Sequence, residues 1–351
     1  IPNAPFDERI EATAADLSVR AAAIGGRVTR LETFLTTAPA RPLLAPSARS
    51  LPQTVYFLLL IATTAAGAFL ARRNFRARRV DTVAAGRVAF WVFATRAVHI
   101  LLTGQHPLSL DKEPAFLAMI LGSSLLLAAE VWLGYTALEP YVRRRWPRVM
   151  VTWTRLVHGA WNDRFVGRAI LFGVTGGLLL RLVDHVRNAL PALLPVAVIP
   201  SQLAVEAISS VRRTVGGLLL YQSHAIFYGL FGVFVLVLLK WLVRREWIAA
   251  LLWVGAMTVT WSRWEDVRID GPIVAVQMAL MLIVLYRAGL LGFATAIYVH
   301  LLTVYTPMTA DLSAIYFPQS AIAAAAIVTL AAFGALTAMR WRSSRSPEHF
   351  S

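Results

Sequence analysis

Long uncharged, largely apolar stretches alternate with short arginine-rich stops from Leu51 to Arg342. Val55–Ala71 is the clearest case, followed at once by Arg72, Arg73, Arg76, Arg78 and Arg79. About 17–25 predominantly apolar residues suffice to cross a ~30 Å hydrocarbon core. The pattern predicts about nine spans, near residues 53–71, 85–103, 115–137, 169–190, 217–239, 247–262, 271–286, 288–305 and 321–339. The three between 247 and 305 are short, and hydropathy alone can merge or drop one. The expected fold class is therefore all-α, a polytopic helical membrane bundle of about nine transmembrane helices.

Ahead of the first span, Ile10, Ala14, Leu17, Ala21, Ile24, Val28 and Leu31 recur at alternating steps of four and three. That is a heptad seam, and it predicts an amphipathic helix over residues 7–34. Asp7 and Glu8 in its first turn and Arg27 and Arg30 in its last complement the helix dipole, while Gly25-Gly26 weakens it. Pro39, Pro42, Pro46 and Pro52 mark a linker. Residues 1–50 are thus read as an extracytoplasmic helix and proline-rich linker, 51–342 as the transmembrane domain and 343–351 as a cytoplasmic tail. Within the domain, Val149, Trp153, Leu156, Val157, Trp161 and Phe165 line one side of residues 146–166, with Arg148 and Arg155 on another. This predicts a cytoplasmic interfacial helix lying on anionic lipid. Pro191, Pro195 and Pro200 punctuate the stretch before an amphipathic piece near 201–214.

Charge sets the orientation. The loops holding Arg72–Arg79, Arg143–Arg168, Lys240–Arg245, Arg287 and Arg340–Arg345 carry about 19 basic residues, against Lys112, Arg212, Arg213, Arg263 and Arg268 on the opposite side. The positive-inside rule makes the first set cytoplasmic, with the N-terminus outside and the C-terminus inside. The net charge of +15 lies in short clusters beside apolar runs, so no nucleic-acid partner is expected. The expected partner is a bilayer with an anionic cytoplasmic leaflet, in a bacterial inner membrane. The absence of cysteine excludes disulfides, thiolate metal sites and cysteine nucleophiles.

Ionisable groups inside spans are costly and mark candidate sites. Arg96 and His99 share a face of the second span, and Glu130 lies in the inner half of the third; Glu130 is expected to pair with Arg96 or Arg87. Arg181, Asp184, His185 and Arg187 crowd the outer third of the fourth, as a polar helix end or the lining of an outward cavity. Asp184 and His185 lack a third ligand nearby, so no metal or cofactor is expected. His158, His224 and His300 read as isolated packed histidines. Gly173 and Gly177 form a small-xxx-small face for helix packing and a possible homodimer. The sequence contains no phosphate-binding glycine loop with its lysine, no helical zinc-type histidine pair and no Gly-x-Ser-x-Gly elbow.

The segment Tyr135-Thr136-Ala137-Leu138-Glu139-Pro140-Tyr141-Val142-Arg143-Arg144-Arg145-Trp146-Pro147 resembles the C-terminal membrane module of large bacterial serine/threonine protein kinases, of the kind abundant in acidobacteria-like genomes. Asp163-Arg164-Phe165-Val166-Gly167-Arg168 resembles that module's Asp-Pro-Leu-Val-Gly-Arg-Asp, and Asp311-Leu312-Ser313-Ala314-Ile315-Tyr316 its Asp-Leu-Ser-Ala-Trp-Tyr. Arg164 replaces a proline and Ala169 an acid, which puts the turn before the fourth span in question. His-Arg-Asp and Asp-Phe-Gly are absent. The resemblance therefore implies a kinase upstream of Ile1 in the same polypeptide, joined through one more helix. The expected function is a non-catalytic anchor and sensor module; the alternative is a small transporter or channel with Arg96, Glu130, Arg181 and Asp184 in its path.

Overall fold

The computed structural model describes residues 8–14, 17–24, 27–35, 51–104, 111–193, 210–262 and 267–339. The proline linker, residues 194–209 with most of the amphipathic piece at 201–214, and the tail at 343–351 lie outside the described residues. The chain divides into two compact units, residues 1–50 and 51–351.

The first unit corrects the expected N-terminal helix. Its described residues form a three-stranded antiparallel sheet, β1 (Glu8–Ala14), β2 (Leu17–Ile24) and β3 (Arg27–Leu35), in the order β1-β2-β3. The register sets Ile10 opposite Ala21 and Ala21 opposite Leu31, and likewise Glu11 opposite Arg20 and Arg20 opposite Glu32. At these positions apolar residues align with apolar ones and opposite charges with each other, whereas Ala22 stands between Arg9 and Arg30. A bulge between Ala22 and Ala23 leaves Thr29 as the extra residue of β3. Leu17, Val19, Ala21 and Ala23 satisfy a two-residue period that the heptad seam masks. In a helix, Gly25-Gly26 would cost about 1 kcal/mol per glycine.

The second unit is all-helical. Its helices are α1 (Leu51–Arg76), α2 (Thr82–Thr103), α3 (Glu113–Arg145), α4 (Pro147–Val157), α5 (Arg164–Leu193), α6 (Val211–Val243), α7 (Glu246–Trp261), α8 (Val267–Tyr305) and α9 (Phe317–Met339). Seven are long and apolar enough to cross a membrane, and α7 is a shorter apolar helix of 16 residues. The chain is thus compatible with an integral membrane protein.

The spans expected at 271–286 and 288–305 both fall within α8, which is broken at Gly289, where φ is 70° and ψ −168°. That conformation is essentially confined to glycine, and a Cβ there would lie 2.6 Å from Val149 O. Gln277 Nε2 donates to Asp184 Oδ1 at 2.9 Å, and His300 Nδ1 lies 3.8 Å from Asp184 Oδ2. An uninterrupted helix would hold residues 277 and 300 about 34 Å apart at ~1.5 Å per residue. Both reach one carboxylate, so the two halves of α8 fold back on each other along α5.

Contacts sort the helix ends into two layers. One gathers Asn74 with Thr136, Asp81 with His158, Lys240 with Trp146, and Gly167 with Gly334. The other gathers Tyr56 with Trp261, Thr103 with Gly216, Tyr221 with Tyr305, and Arg187 with Asp270. The first layer contains the arginine stops, and tyrosines and tryptophan mark the second.

The expected interfacial helix at 146–166 is also corrected. Helix α4 stops at Val157, and Gly159 follows at φ 90°. Val149, Met150 and Trp153 are buried where α4 packs on α8 beside Gly289, whereas Trp161 and Phe165 of the expected stripe lie beyond α4 and are exposed. The Gly173–Gly177 face is likewise used inside the chain. A Cβ on Gly173 would meet Gly292 O at 2.5 Å, and one on Gly177 would meet Val299 at 2.7 Å. This close approach of α5 to α8 leaves that face unavailable to a second copy.

Pro140 interrupts α3 and removes the donor that Thr136 O would have used. Asn74 of α1 replaces it, its Nδ2 donating to Thr136 O at 3.0 Å and to Ala137 O at 3.1 Å. Asn74→Ala is expected to cost about 1–3 kcal/mol in chemical unfolding of the detergent-solubilised chain. In a Pro140→Ala background the returned N–H shrinks that cost. An unchanged cost contradicts the pairing.

Candidate functional site

A largely buried polar cluster forms where α5 meets both halves of α8. Arg187 Nη1 donates to Asp270 Oδ1 at 2.7 Å, with both side chains less than a tenth exposed. Asp184 accepts from Gln277 Nε2, which also donates to Leu180 O at 3.2 Å. Arg181 Nη1 stands 3.8 Å from Asp184 Oδ2. His300 Nδ1 faces the same oxygen at 3.8 Å and has no hydrogen-bond partner among the described residues. The cluster joins two acids, two arginines, a histidine and an amide across three helical segments. Its chemistry is that of a charge-balanced lock, because opposite charges share the expense of leaving water.

Arg181, Asp184, His185 and Arg187 were legible in the sequence as a polar group in the outer third of the fourth span. The structure adds Asp270, Gln277 and His300, and it leaves His185 exposed, with Nδ1 2.9 Å from Arg181 O. Asp270 and Gln277 lie 83 and 93 residues from their partners, so no local spacing signals them. The reading of His300 as isolated holds along the sequence and fails in space.

Glu130 does not pair with Arg96 or Arg87, contrary to expectation. Arg87 Nη1 donates to Val157 O at 3.1 Å, on the arginine-rich side. Arg96 lies within electrostatic range of His224, as does His99, whose Nδ1 is 2.8 Å from Gly216 O. Glu130 instead lines a cavity of about 40 Å³ with Thr63, Thr64, Gly67 and Phe231, and has no ion pair among the described residues. The physical reason is rotation: Arg96 faces the start of α6, whereas Glu130 faces the seam between α1 and α6.

The Tyr135–Pro147 motif builds the arginine-rich end. Glu139 is buried and pairs with Arg143 Nη1 at 3.1 Å. Arg145 lies 5.9 Å over the Tyr141 ring, and Arg144 is exposed. Trp146 separates α3 from α4, which Pro147 opens, and Lys240 Nζ sits 2.9 Å above the Trp146 ring. The turn before α5 forms despite Arg164. Asp163 accepts from Phe165 N at 2.7 Å and pairs with Arg155 Nη1 at 2.7 Å, which serves the helix start without a proline. Gly167 packs on the backbone of α9 at Gly334, and Arg168 is exposed. Asp311 is exposed in the turn before α9, where Ser313 Oγ and N donate to Oδ1 at 2.6 and 2.9 Å. These two bonds hold the Asp311 carboxyl below its ordinary range.

No family model, curated protein or solved structure matches this chain.

Asp270→Leu alone strands Arg187 in a buried site and should destabilise the solubilised chain by about 3–5 kcal/mol. Adding Arg187→Leu should recover most of that loss. Thermal unfolding of the two single variants and the double variant checks this, and additive losses would remove the ion pair from the account.

Proposed function

We propose that this chain is a non-catalytic membrane anchor and sensor module of a receptor-type bacterial serine/threonine kinase, with the kinase domain upstream in the same polypeptide. The observation that carries the reading is the position of the resembling motif. Tyr135–Pro147 forms the arginine-rich end of the bundle, where Asn74 and Lys240 tie α1 and α6 to α3. Arginine asymmetry supports that end as the cytoplasmic face of an inner membrane. The fold-back at Gly289 and the alternation of helix ends support nine crossings, with α7 and each half of α8 counted as one. An odd number leaves the sheet of residues 8–35 outside and the end of α9 inside. The sheet is then the element through which a stimulus or a second copy acts. A module of this kind shifts a kinase only through two arrangements that a stimulus stabilises unequally.

Because the chain contains no cysteine, single-cysteine variants need no other change. Cysteine at Ile315, 92% exposed between α8 and α9, should be labelled in intact cells, and cysteine at Arg148, exposed on α4 at the arginine-rich end, only after the membrane is opened. The reverse pattern overturns the topology. In the full-length protein, Leu17→Glu with Val19→Glu, two positions of one strand period in β2, should alter autophosphorylation while leaving membrane insertion intact. Unaltered autophosphorylation reduces the module to an anchor.

One observation favours transport as a second reading. Glu130 is half-buried in a span, lines a cavity and has no cation beside it among the described residues. Ion or solute flux in liposomes, lost on Glu130→Gln, would replace the sensor reading.

A further inference from the structure

A cleft lies at the arginine-rich end, between α1, α3 and α6, with a volume of about 1160 Å³. Six cations line it, Arg73, Arg79, Arg144, Arg145, Lys240 and Arg244, against a single carboxylate, Glu246. That carboxylate is already engaged, since Lys240 Nζ lies 2.6 Å from Glu246 Oε1. Arg73, Arg79, Arg144 and Arg244 have no ion pair among the described residues. Arg244 also holds a left-handed backbone, φ 59°, at the end of α6, where glycine is the usual residue.

Each of the three helices turns from apolar to basic along this cleft. Phe69 and Leu70 precede Arg73 on α1, Leu138 precedes Arg144 on α3, and Leu238 precedes Arg244 on α6. Phe69 and Leu242 are 68% and 72% exposed along this wall. A soluble anion would use only the basic rim. An amphiphile with a negatively charged head uses both halves.

We propose that this cleft holds one anionic phospholipid, its phosphate among Arg73, Arg144 and Arg244 and its acyl chains along Phe69, Leu238 and Leu242. The bound phosphate would neutralise arginines that otherwise repel one another, and would clamp α1, α3 and α6 together. The inference rests on the reading that this end of the bundle meets a membrane face.

The test is native mass spectrometry of the detergent-purified chain with phosphatidylglycerol or phosphatidylcholine, alone and with inorganic phosphate as competitor. Retention of one phosphatidylglycerol in preference to phosphatidylcholine is expected. Each arginine near an anionic headgroup contributes about fivefold in affinity, so Arg73→Gln, Arg144→Gln and Arg244→Gln together should weaken retention roughly a hundredfold. Arg148→Gln, Arg168→Gln and Arg287→Gln, outside the cleft, should leave it nearly unchanged. Equal loss in both triple variants overturns the proposal, because attraction would then be spread over the whole face. Equal retention of the two lipids, or displacement of the lipid by inorganic phosphate, overturns it as well. Carbonate extraction separates the two levels of failure. Release of the chain from membranes removes the membrane reading, whereas a chain that stays in the pellet and shows no lipid preference removes only the cleft.

Discussion

A helix does not pass undeflected through a residue at φ 70° and ψ −168°, and the arrangement of this bundle depends on Gly289 holding that geometry. The deflection folds α8 into two segments that flank α5. The second segment meets the Gly173–Gly177 face at backbone distance, and the first reaches α5 through Val284, Gln277 and Asp270. Helix α4 closes the fold-back from outside, with its Val149 carbonyl against Gly289. In a bilayer, helices gain little from burying apolar surface against each other, because lipid is equally apolar. Close backbone packing and polar contacts therefore have to hold the segments together, and α5 uses both, at different heights.

The polar groups divide by task. The Arg187–Asp270 pair and the Asp184–Gln277 bond tie α5 to the first segment of α8, and His300 brings the second to the same carboxylate. At the opposite layer, arginines outnumber acids, Asn74 repairs the hydrogen bond that Pro140 removes, and Lys240 bridges Trp146 and Glu246. A balanced cluster at one end and an unbalanced one at the other are what separate a structural lock from a surface that requires external anions. The proposed sensor role draws on this asymmetry: one end is fixed by its own charges, while the other is completed by its surroundings.

Much of the helical organisation was legible because hydropathy and arginine stops are strong, local signals. Helix α2 follows them to within three residues, whereas α3 runs on to Arg145, past its expected end at 137, and α5 starts at Arg164 instead of 169. Three features were not legible, each for a different reason. At Ile10–Leu31 the same apolar residues satisfy a seven-residue and a two-residue period, and only strand pairing separates them. For Arg96 and Glu130, sequence gives depth along a helix but not rotation between helices, so groups at compatible heights face different neighbours. In α4 the apolar side was visible, but its destination was not: a stripe reads alike whether lipid or protein covers it. The reversal at Gly289 was legible in outline, because Arg287 divided residues 271–305 into two expected spans, although nothing in the sequence singled out Gly289 over Gly292 as the point of the break. The lock at α5 was half visible, because Arg181, Asp184 and Arg187 are spaced on one helix while their partners arrive from distant segments.

The fold-back of α8 is tested most directly by a distance between spin labels on cysteines placed at Val276 and Tyr305, which are 52% and 39% exposed. The chain has no native cysteine to interfere. A continuous helix would separate these backbone positions by about 44 Å, and the folded-back arrangement brings them within about 25 Å. Pulsed dipolar spectroscopy on the chain in nanodiscs should return a distribution centred in the shorter range. A single distribution near the longer distance would contradict the reversal at Gly289, and with it the lock between α5 and α8.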